Sequence, residues 1–178
     1  RRAHSTRRFV GINAGDAFGY SLATGRLNRD SYDDLAIGSP GANSFGVNNA
    51  GRVTVYYCRP DWRGLDGTSP QLWSQPRVAG VPQQNGRFGS SLAIGTLSRD
   101  SDDPASYAEY SFLIVGAPGE DSGARTDAGA VHVIYASEET DGLDVAGNEI
   151  WFQGDHVDDE TESYDNYGGS VLPIWHLI

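Results

Sequence analysis

The stretch Phe18-Gly-Tyr-Ser-Leu-Ala-Thr-Gly25 returns as Phe88-Gly-Ser-Ser-Leu-Ala-Ile-Gly95, with six of the eight residues identical. Two later stretches recur in the same order: Asp34–Gly41 as Phe112–Gly119, and Ala50–Tyr57 as Ala128–Tyr135. The first stretch is repeated after 70 residues and the later two after 78, so the second copy has gained eight residues in a loop. Several stretches that recur in the same order are typical of a protein built from repeated structural units.

Each copy is predicted to form four short strands. In the first copy these are Gly19–Gly25, Asp34–Ser39, Gly51–Tyr57 and Gln71–Ala79. The third strand shows the alternation of a half-buried strand, with Val53 and Val55 on one face. The 23 glycines and 8 prolines favour many tight turns, and no helix is predicted. The pattern therefore predicts an all-β protein made of β-propeller blades, each with four antiparallel strands.

The repeats also divide the chain. Residues 1–10 are a basic segment with the outer strand of a preceding blade, 11–80 the first blade and 81–154 the second. Residues 155–178 are an acidic linker and the start of a third blade with an apolar tail. Propellers close with about four to eight blades, and this chain holds about two and a half. We therefore expect an incomplete propeller, which either belongs to a longer chain or closes through oligomerisation.

Two motifs in each copy carry a resemblance to a known family. They are Phe18-Gly19 followed by Gly38-Ser39-Pro40, and Phe88-Gly89 followed by Gly116-Ala117-Pro118. This order resembles the FG-GAP repeat, which builds the propeller of integrin α chains and occurs in many secreted bacterial proteins. The resemblance implies that both Phe side chains pack between neighbouring blades. We expect the Gly after each Phe to allow close backbone approach, and the first Gly of each Gly-x-Pro to adopt an unusual dihedral.

The resemblance further implies a calcium loop between the first and second strands. Its ligands would be the side chains of Asn28, Asp30 and Asp34 and the carbonyl of Tyr32, since Ca²⁺ prefers oxygen ligands. Arg26 occupies the position where the family pattern has its first acid. The alternative is a metal-free loop in which the Arg26 guanidinium takes the place of the cation. In the second copy the insertion interrupts the corresponding loop, and no calcium site is expected there.

Charge and composition exclude several classes of function. The chain has 24 acids and 13 arginines, without lysine, and a net charge of −11. Four arginines lie in the first eight residues, so the rest of the chain is more acidic still and should repel nucleic acid. The sequence has no apolar run long enough to span a membrane. A single cysteine, Cys58, excludes an internal disulfide.

The residues favour binding over catalysis. The FG-GAP resemblance implies a secreted or cell-surface setting, and the leading hypothesis drawn from it is a non-catalytic adhesion module that binds a protein or glycan through its inter-strand loops. One alternative is an accessory or catalytic part of a secreted, phospholipase-like hydrolase, with Asp121, Asp127 and the acidic run Asp155–Asp165 as the candidate donors. The other alternative is a structural subunit of an assembly. No catalytic motif with a nucleophile and a base is found.

Overall fold

Two antiparallel sheets follow one another along the chain, one for each copy of the repeat. The computed structural model describes residues 8–28, 30–59, 64–78, 80–98, 109–137, 141–154 and 161–172. The regular secondary structure of the described part is almost entirely β-strand, with one helix of four residues, which confirms the predicted all-β class.

Blade 1 is a four-stranded sheet in the order β1-β2-β3-β6. Its strands are β1 (Leu22–Gly25), β2 (Asp34–Ser39), β3 (Arg52–Tyr56) and β6 (Gln71–Trp73). A small hairpin extends the end of β3 and consists of β4 (Cys58–Arg59) and β5 (Gly64–Leu65). The sheet is held in register by pairs such as Leu22 with Ile37 and Val53 with Trp73.

Blade 2 repeats this arrangement with longer strands. Its strands are β7 (Ser91–Ser98), β8 (Glu109–Ala117), β9 (Ala130–Ser137), β10 (Gly142–Leu143) and β11 (Glu149–Phe152). The short β10 and the outer β11 both pair with β9, near its end and its start respectively. Trp151 lies opposite Val131, as Trp73 lies opposite Val53, so the two blades share one register.

Two strand predictions were wrong in their extent. The first strand, β1, begins at Leu22, where the sequence had predicted a strand from Gly19. The outer strand of blade 1 ends at Trp73, and the single-turn helix α1 (Gln75–Val78) follows, where the sequence had predicted a strand as far as Ala79. Pro76 has no N–H to offer a neighbouring strand, and the carbonyl of Ser74 accepts the N–H of Arg77 at 2.9 Å. Ala79 itself lies outside the described residues.

The hydrophobic core lies between the two blades and is shared by both. Its buried side chains come from blade 1 and the segment after it, and from the strands of blade 2: Leu27, Ala36, Val53, Val55, Trp73 and Val78 from the first, and Phe88, Leu92, Ile94, Leu113, Val115, Ala117, Ile134 and Leu143 from the second. Because one cluster spans both sheets, the blades stabilise each other.

The seam between blades follows one repeated pattern. Gly51 forms a parallel bridge with Phe88, and Gly129 forms the same bridge with Tyr167. The hydroxyl of Ser21 donates to the carbonyl of Gly89 at 2.7 Å, and that of Ser91 donates to the carbonyl of Gly168 at 2.7 Å. The predicted start of a third copy thus docks on blade 2 as blade 2 docks on blade 1.

The expected close approach is found at Gly89, but the expected unusual dihedral is not found at Gly38. Gly89, which follows the motif Phe, adopts a φ of 89°, in the region that favours glycine. Gly38, the first residue of Gly-x-Pro, has no positive φ, but a Cβ there would overlap the carbonyl oxygen of Gly89. Close backbone approach therefore constrains both Gly38 and Gly89, and the dihedral angle is a further constraint at Gly89 alone.

No helix in the described part of the chain is long and apolar enough to cross a membrane.

Candidate functional site

The β1–β2 loop, residues 26–33, brings the predicted calcium ligands together through tight local turns. The N–H of Asp30 donates to Asn28 Oδ1 at 3.2 Å, and the N–H of Tyr32 donates to Asp30 Oδ1 at 2.8 Å. The Asn28 amide also donates to Asp30 Oδ2 at 3.0 Å. Side chains of Asn and Asp favour such turns because their oxygens reach a backbone N–H two residues on.

Asp34 closes this loop from the first position of β2. Its Oδ2 accepts the N–H of Leu27 at 2.8 Å, and its Oδ1 accepts the N–H of Cys58 at 2.9 Å. The side chain is buried, and this burial raises the pKa of Asp34 to about 6, with a further rise from Asp30 and Asp33. The carboxylate therefore ties the loop to the end of blade 1 while its negative charge is poorly solvated.

The donor atoms fit Ca²⁺ in kind, because carboxylate, amide and carbonyl oxygens are its preferred ligands. Both carboxylates already accept backbone N–H groups, but each oxygen keeps a second lone pair for a cation. A positive ion would also offset the poorly solvated charge of Asp34. No group of three acidic, His or Cys side chains that could hold a metal occurs in the described residues. The calcium ligand set stays a prediction.

The corresponding loop of the second copy lies mostly outside the described residues. Asp100, Asp102 and Asp103 and the inserted residues all fall there, as does most of the acidic run Asp155–Asp165. At the end of that run, the N–H of Glu162 donates to Asp165 Oδ2 at 2.7 Å. This contact closes a turn before the third copy begins.

Two tip loops lie at the opposite end of the blades, residues 40–51 in blade 1 and 118–129 in blade 2. Each contains a small hairpin, closed by Ser44 with Val47 in the first loop and by Ser122 with Arg125 in the second. Phe45 stands at the tip of the first hairpin with 81% of its surface exposed and a φ of 50°. The second hairpin has Gly123 at the matching position.

The tip loops border a groove of about 540 Å³ between the blades. Its lining includes Tyr20, Asn49, Asn85, Arg87 and Asp127. The amide of Asn49 donates to Asn85 Oδ1 at 3.0 Å and joins the first tip loop to the segment before blade 2. The groove thus offers polar groups of both charges beside an exposed aromatic residue.

A buried ionisable pair supports the second tip loop. His132 Nε2 lies 2.9 Å from Glu120 Oε2, and both side chains are buried. The His132 ring packs edge-on against Phe88, with 5.0 Å between ring centroids. The sequence analysis did not identify this pair, because the two residues are 12 positions apart. The contact depends on how the tip loop folds back over β9.

The candidate acids for hydrolysis serve as backbone acceptors or contacts in the same loop. Asp121 Oδ1 accepts the N–H of Asp127 at 2.9 Å, and the N–H of Asp121 donates to Gln83 at 2.6 Å. Asp121 is exposed, and Asp127 lines the groove. These contacts fix the shape of the tip loop.

Comparison with known proteins gives a match to one repeat family and similarity to two kinds of protein. The profile of the FG-GAP repeat matches residues 18–56. Phosphatidylinositol-glycan-specific phospholipase D of Mus musculus is 33% identical over 121 residues, which is 68% of this chain and 13% of the relative. Integrin alpha-5 of Xenopus laevis is 31% identical over 135 residues, covering 73% of this chain and 11% of the relative. Integrin alpha-PS2 of Drosophila melanogaster is 32% identical over 134 residues, or 72% of this chain and 8% of the relative.

The chain spans only 8% to 13% of the length of these relatives. The matched profile begins at Phe18 and ends at Tyr56, so it contains both motifs of the first copy and ends with β3. Both kinds of relative align with more than half of the chain, well beyond one repeat. Residues 18–56 are therefore an FG-GAP repeat, and the chain is an FG-GAP repeat protein.

Proposed function

We propose that this chain is part of an extracellular propeller that binds a protein partner through its tip loops. The observation that carries the proposal is Phe45, which is held in the left-handed region at the tip of a closed hairpin and is exposed over 81% of its surface. A bulky residue with positive φ is strained, and such strain often accompanies function. Since the hairpin fixes Phe45 before binding, little conformational entropy would be lost on contact.

The groove that the tip loops border supports a protein partner. Aromatic residues and arginine dominate the binding energy of protein interfaces, and polar groups commonly surround them. Arg87, Asn49 and Tyr20 line the groove beside the first tip loop. The similarity to integrin α chains supports an adhesive role and a cell-surface or secreted setting.

The test is a screen of purified extracellular-matrix proteins and a glycan array against the immobilised full chain. We expect a protein ligand whose affinity falls at least about tenfold in Phe45→Gly, since a central aromatic anchor contributes over about 1.4 kcal/mol. Val145→Ala serves as the control, because Val145 is also exposed but lies outside the tip loops. A ligand bound equally by Phe45→Gly, or binding to glycans alone, would contradict the proposal.

A second function is favoured by the similarity to phosphatidylinositol-glycan-specific phospholipase D. Under this second proposal, the blades are a non-catalytic part of a larger lipid-cleaving enzyme. Incubation of the chain with a phosphatidylinositol-glycan-anchored reporter on vesicles should then release no reporter above the protein-free rate. Release that follows protein concentration would instead make the chain itself catalytic.

We also propose that the β1–β2 loop binds Ca²⁺ weakly, in the millimolar range found for extracellular modules. The ion would bridge Asn28, Asp30, Asp34 and the carbonyl of Tyr32 and would offset the charge of the buried carboxylate. Isothermal titration of chelator-treated protein should show saturable binding that Asp30→Asn weakens and that Glu162→Gln, at an exposed acid before the third copy, leaves within about twofold. An absence of heat up to about 10 mM Ca²⁺ would support the metal-free loop instead.

A further inference from the structure

The turn between the two blades contains the single Asn-Gly dipeptide of the sequence, Asn85-Gly86. The N–H of Gly86 closes the turn by donating to the carbonyl of Gln83 at 3.0 Å, and Asn85 has a φ of 63°. The N–H of Asn85 donates to the carbonyl of Asn48 in the first tip loop. The carbonyl of Gly86 accepts the N–H of Gly119 in the second tip loop. Asn85 is therefore exposed at a seam whose two sides are both described.

An Asn followed by Gly can react with its own backbone, because Gly has no side chain to hinder the attack of its nitrogen. In this reaction the backbone nitrogen of Gly86 forms a bond to Cγ of Asn85, and the bond from Cγ to Nδ2 breaks. Ammonia leaves with the proton of the Gly86 N–H, and a five-membered succinimide ring remains. Water then opens the ring. The net change is that one amide and one water become one carboxylic acid and one ammonia, so no oxidant or reductant is needed.

The contacts of the Asn85 side chain favour this reaction. The Asn49 amide donates to Asn85 Oδ1 at 3.0 Å, which draws electron density away from Cγ and makes it easier to attack. Asn85 Nδ2 has no hydrogen bond to any of the described residues, so no contact with them holds the leaving group. The hydrogen bond from Gly86 to Gln83 must open before the nitrogen can attack. Such a local opening is common in exposed turns.

Asn49 is a control that the same contact provides. It is exposed like Asn85 and also left-handed, with a φ of 51°. The residue that follows it is Ala50, which is buried, instead of a glycine. The methyl group of Ala50 hinders attack by its own nitrogen, so Asn49 should react far more slowly than Asn85. A difference between the two therefore reports on the following residue and not on exposure.

We propose that Asn85 is a site of spontaneous deamidation, which adds negative charge to the groove between the blades as the protein ages. Asn85 lines this groove together with Arg87 and Asp127. A carboxylate at position 85 can still accept the Asn49 amide, so the contact between the tip loop and the turn is kept. The new charge lies two residues from Arg87. The modification does not depend on the proposed function.

Water can open the ring at either of two carbonyl carbons, and the two products affect the seam differently. Opening at Cγ gives aspartate with an ordinary backbone. Opening at the backbone carbonyl carbon gives isoaspartate, which lengthens the main chain by one methylene group. The N–H of Asn85 is bonded to Asn48, and a Cβ at Gly119 would overlap the Asn85 carbonyl oxygen. The packed seam therefore accommodates aspartate better than isoaspartate.

The test is peptide mapping by mass spectrometry of the full chain, kept at mildly alkaline pH and then digested with trypsin at mildly acidic pH. Cleavage after Arg77 and Arg87 releases Asn85 in the peptide 78–87. We expect this peptide to gain about 1 Da, at a rate at least about tenfold that at Asn49. Equal rates at the two residues would overturn the proposal. So would an unchanged Asn85 after a time in which a synthetic peptide of residues 83–88 is fully converted.

Two variants separate the reaction from its consequence. Gly86→Ala should slow the gain of mass at Asn85 at least about fivefold, and an unchanged rate would overturn the proposal. A Cβ at Gly86 would lie 3.2 Å from the Gln83 carbonyl oxygen, so circular dichroism checks the fold of this variant. If it does not fold, the comparison with Asn49 still decides.

Asn85→Asp reproduces the aspartate product and should elute with it from an anion exchanger. This variant should unfold at the same temperature as the unmodified chain. The isoaspartate form, isolated from aged protein and identified by an isoaspartate-specific methyltransferase, should unfold at a lower temperature, because its longer backbone disturbs the seam. An isoaspartate form as stable as Asn85→Asp would overturn the assigned effect on the seam.

Discussion

The two blades carry the same residue types at matching positions but bury them differently. Leu22 in β1 has 61% of its surface exposed, whereas its counterpart Leu92 in β7 has 8%. The outer strands show the reverse order, since Trp73 in blade 1 is fully buried and Trp151 in blade 2 is 42% exposed. The burial of these side chains therefore depends on whether a neighbouring blade covers that side of the sheet.

This difference shows which neighbour each motif needs. Leu92 and Phe88 of blade 2 join the same core cluster as Trp73 of blade 1. The first strand of a blade is thus covered by the blade before it, and the tryptophan of its outer strand is covered by the blade after it. The repeated residues stabilise the seams more than the individual sheets, as in other repeat proteins.

The largest expected effect comes from the two tryptophans. Trp73→Ala should lower the free energy of unfolding by about 3–5 kcal/mol, because it empties a large volume in the shared core. Trp151→Ala should cost less than about 1 kcal/mol, since much of the ring already faces solvent. Urea unfolding followed by circular dichroism measures both values. Similar losses would mean that the cores of the two blades are independent of their neighbours.

The first strands give a second matched pair. Leu92→Ala should lower the free energy of unfolding by about 2–4 kcal/mol, and Leu22→Ala by less than about 0.5 kcal/mol. The measurement is the same denaturant titration, with the slope of the transition checked for two-state behaviour. A costly Leu22→Ala would show that another surface covers β1 in solution, and light scattering would then identify a second copy as the cover.

A smaller effect on stability at high pH distinguishes Tyr57 of blade 1 from its counterpart Tyr135 of blade 2. Burial raises the pKa of Tyr57 to about 12, from an ordinary value of 10.0. Between these two pH values the folded state keeps a proton that the unfolded state releases. The contribution of Tyr57 to the free energy of unfolding is therefore complete below pH 10 and is lost as the pH rises towards 12. The unmodified chain should lose up to about 2–3 kcal/mol of its free energy of unfolding over this pH range, and Tyr57→Phe should abolish that loss.

Tyr135 is the control for this measurement. Burial also raises the pKa of Tyr135, with a further rise from its hydrogen bond to Glu149, but the side chain is much less enclosed. Tyr135→Phe should therefore leave most of the alkaline loss of stability in place. Unfolding titrations between about pH 9 and 11.5 compare the two variants with the unmodified chain. An alkaline profile that Tyr57→Phe leaves unchanged would rule out Tyr57 as its source.

The sequence predicted the parts of the fold that depend on local pattern. β2 has the predicted bounds Asp34–Ser39, and the alternation of Val53 and Val55 correctly placed them in the core. The small β4–β5 hairpin was missed, because two-residue strands show no periodicity. The role of Gly38 was predicted wrongly, since only the packed blades reveal that a Cβ at Gly38 would overlap Gly89.

The sites were less accessible to sequence analysis, because their contacts cross long distances along the chain. The β1–β2 loop could be found, since a short acidic run forms it. Gln71 of blade 1 donates a hydrogen bond to the carbonyl of Leu143 in blade 2. Glu120 of the second tip loop contacts His132 of β9. The repeat does contain a signal for the tyrosine contacts, because Tyr57 and Gln71 recur as Tyr135 and Glu149 at the common spacing of 78.

The smallest expected effect concerns the tips of the two hairpins. Phe45 has a φ of 50° and Gly123 a φ of 63°, so the same left-handed turn holds a bulky residue in one blade and glycine in the other. Phe45→Gly should leave stability unchanged or raise it by up to about 1 kcal/mol, because relief of the strained dihedral offsets the greater freedom of glycine when unfolded. Gly123→Ala should lower stability by about 1 kcal/mol.

Thermal unfolding of both variants, with Gly67→Ala as a control outside the left-handed region, distinguishes strain from packing. If Phe45→Gly were clearly destabilising, Phe45 would be contributing to the fold, and its exposure would lose its meaning as evidence for binding. If Phe45→Gly keeps or raises stability while ligand affinity falls, Phe45 contributes to binding and slightly lowers the stability of the fold. That combination separates a binding residue from a structural one, because a structural role cannot lower affinity without also lowering stability.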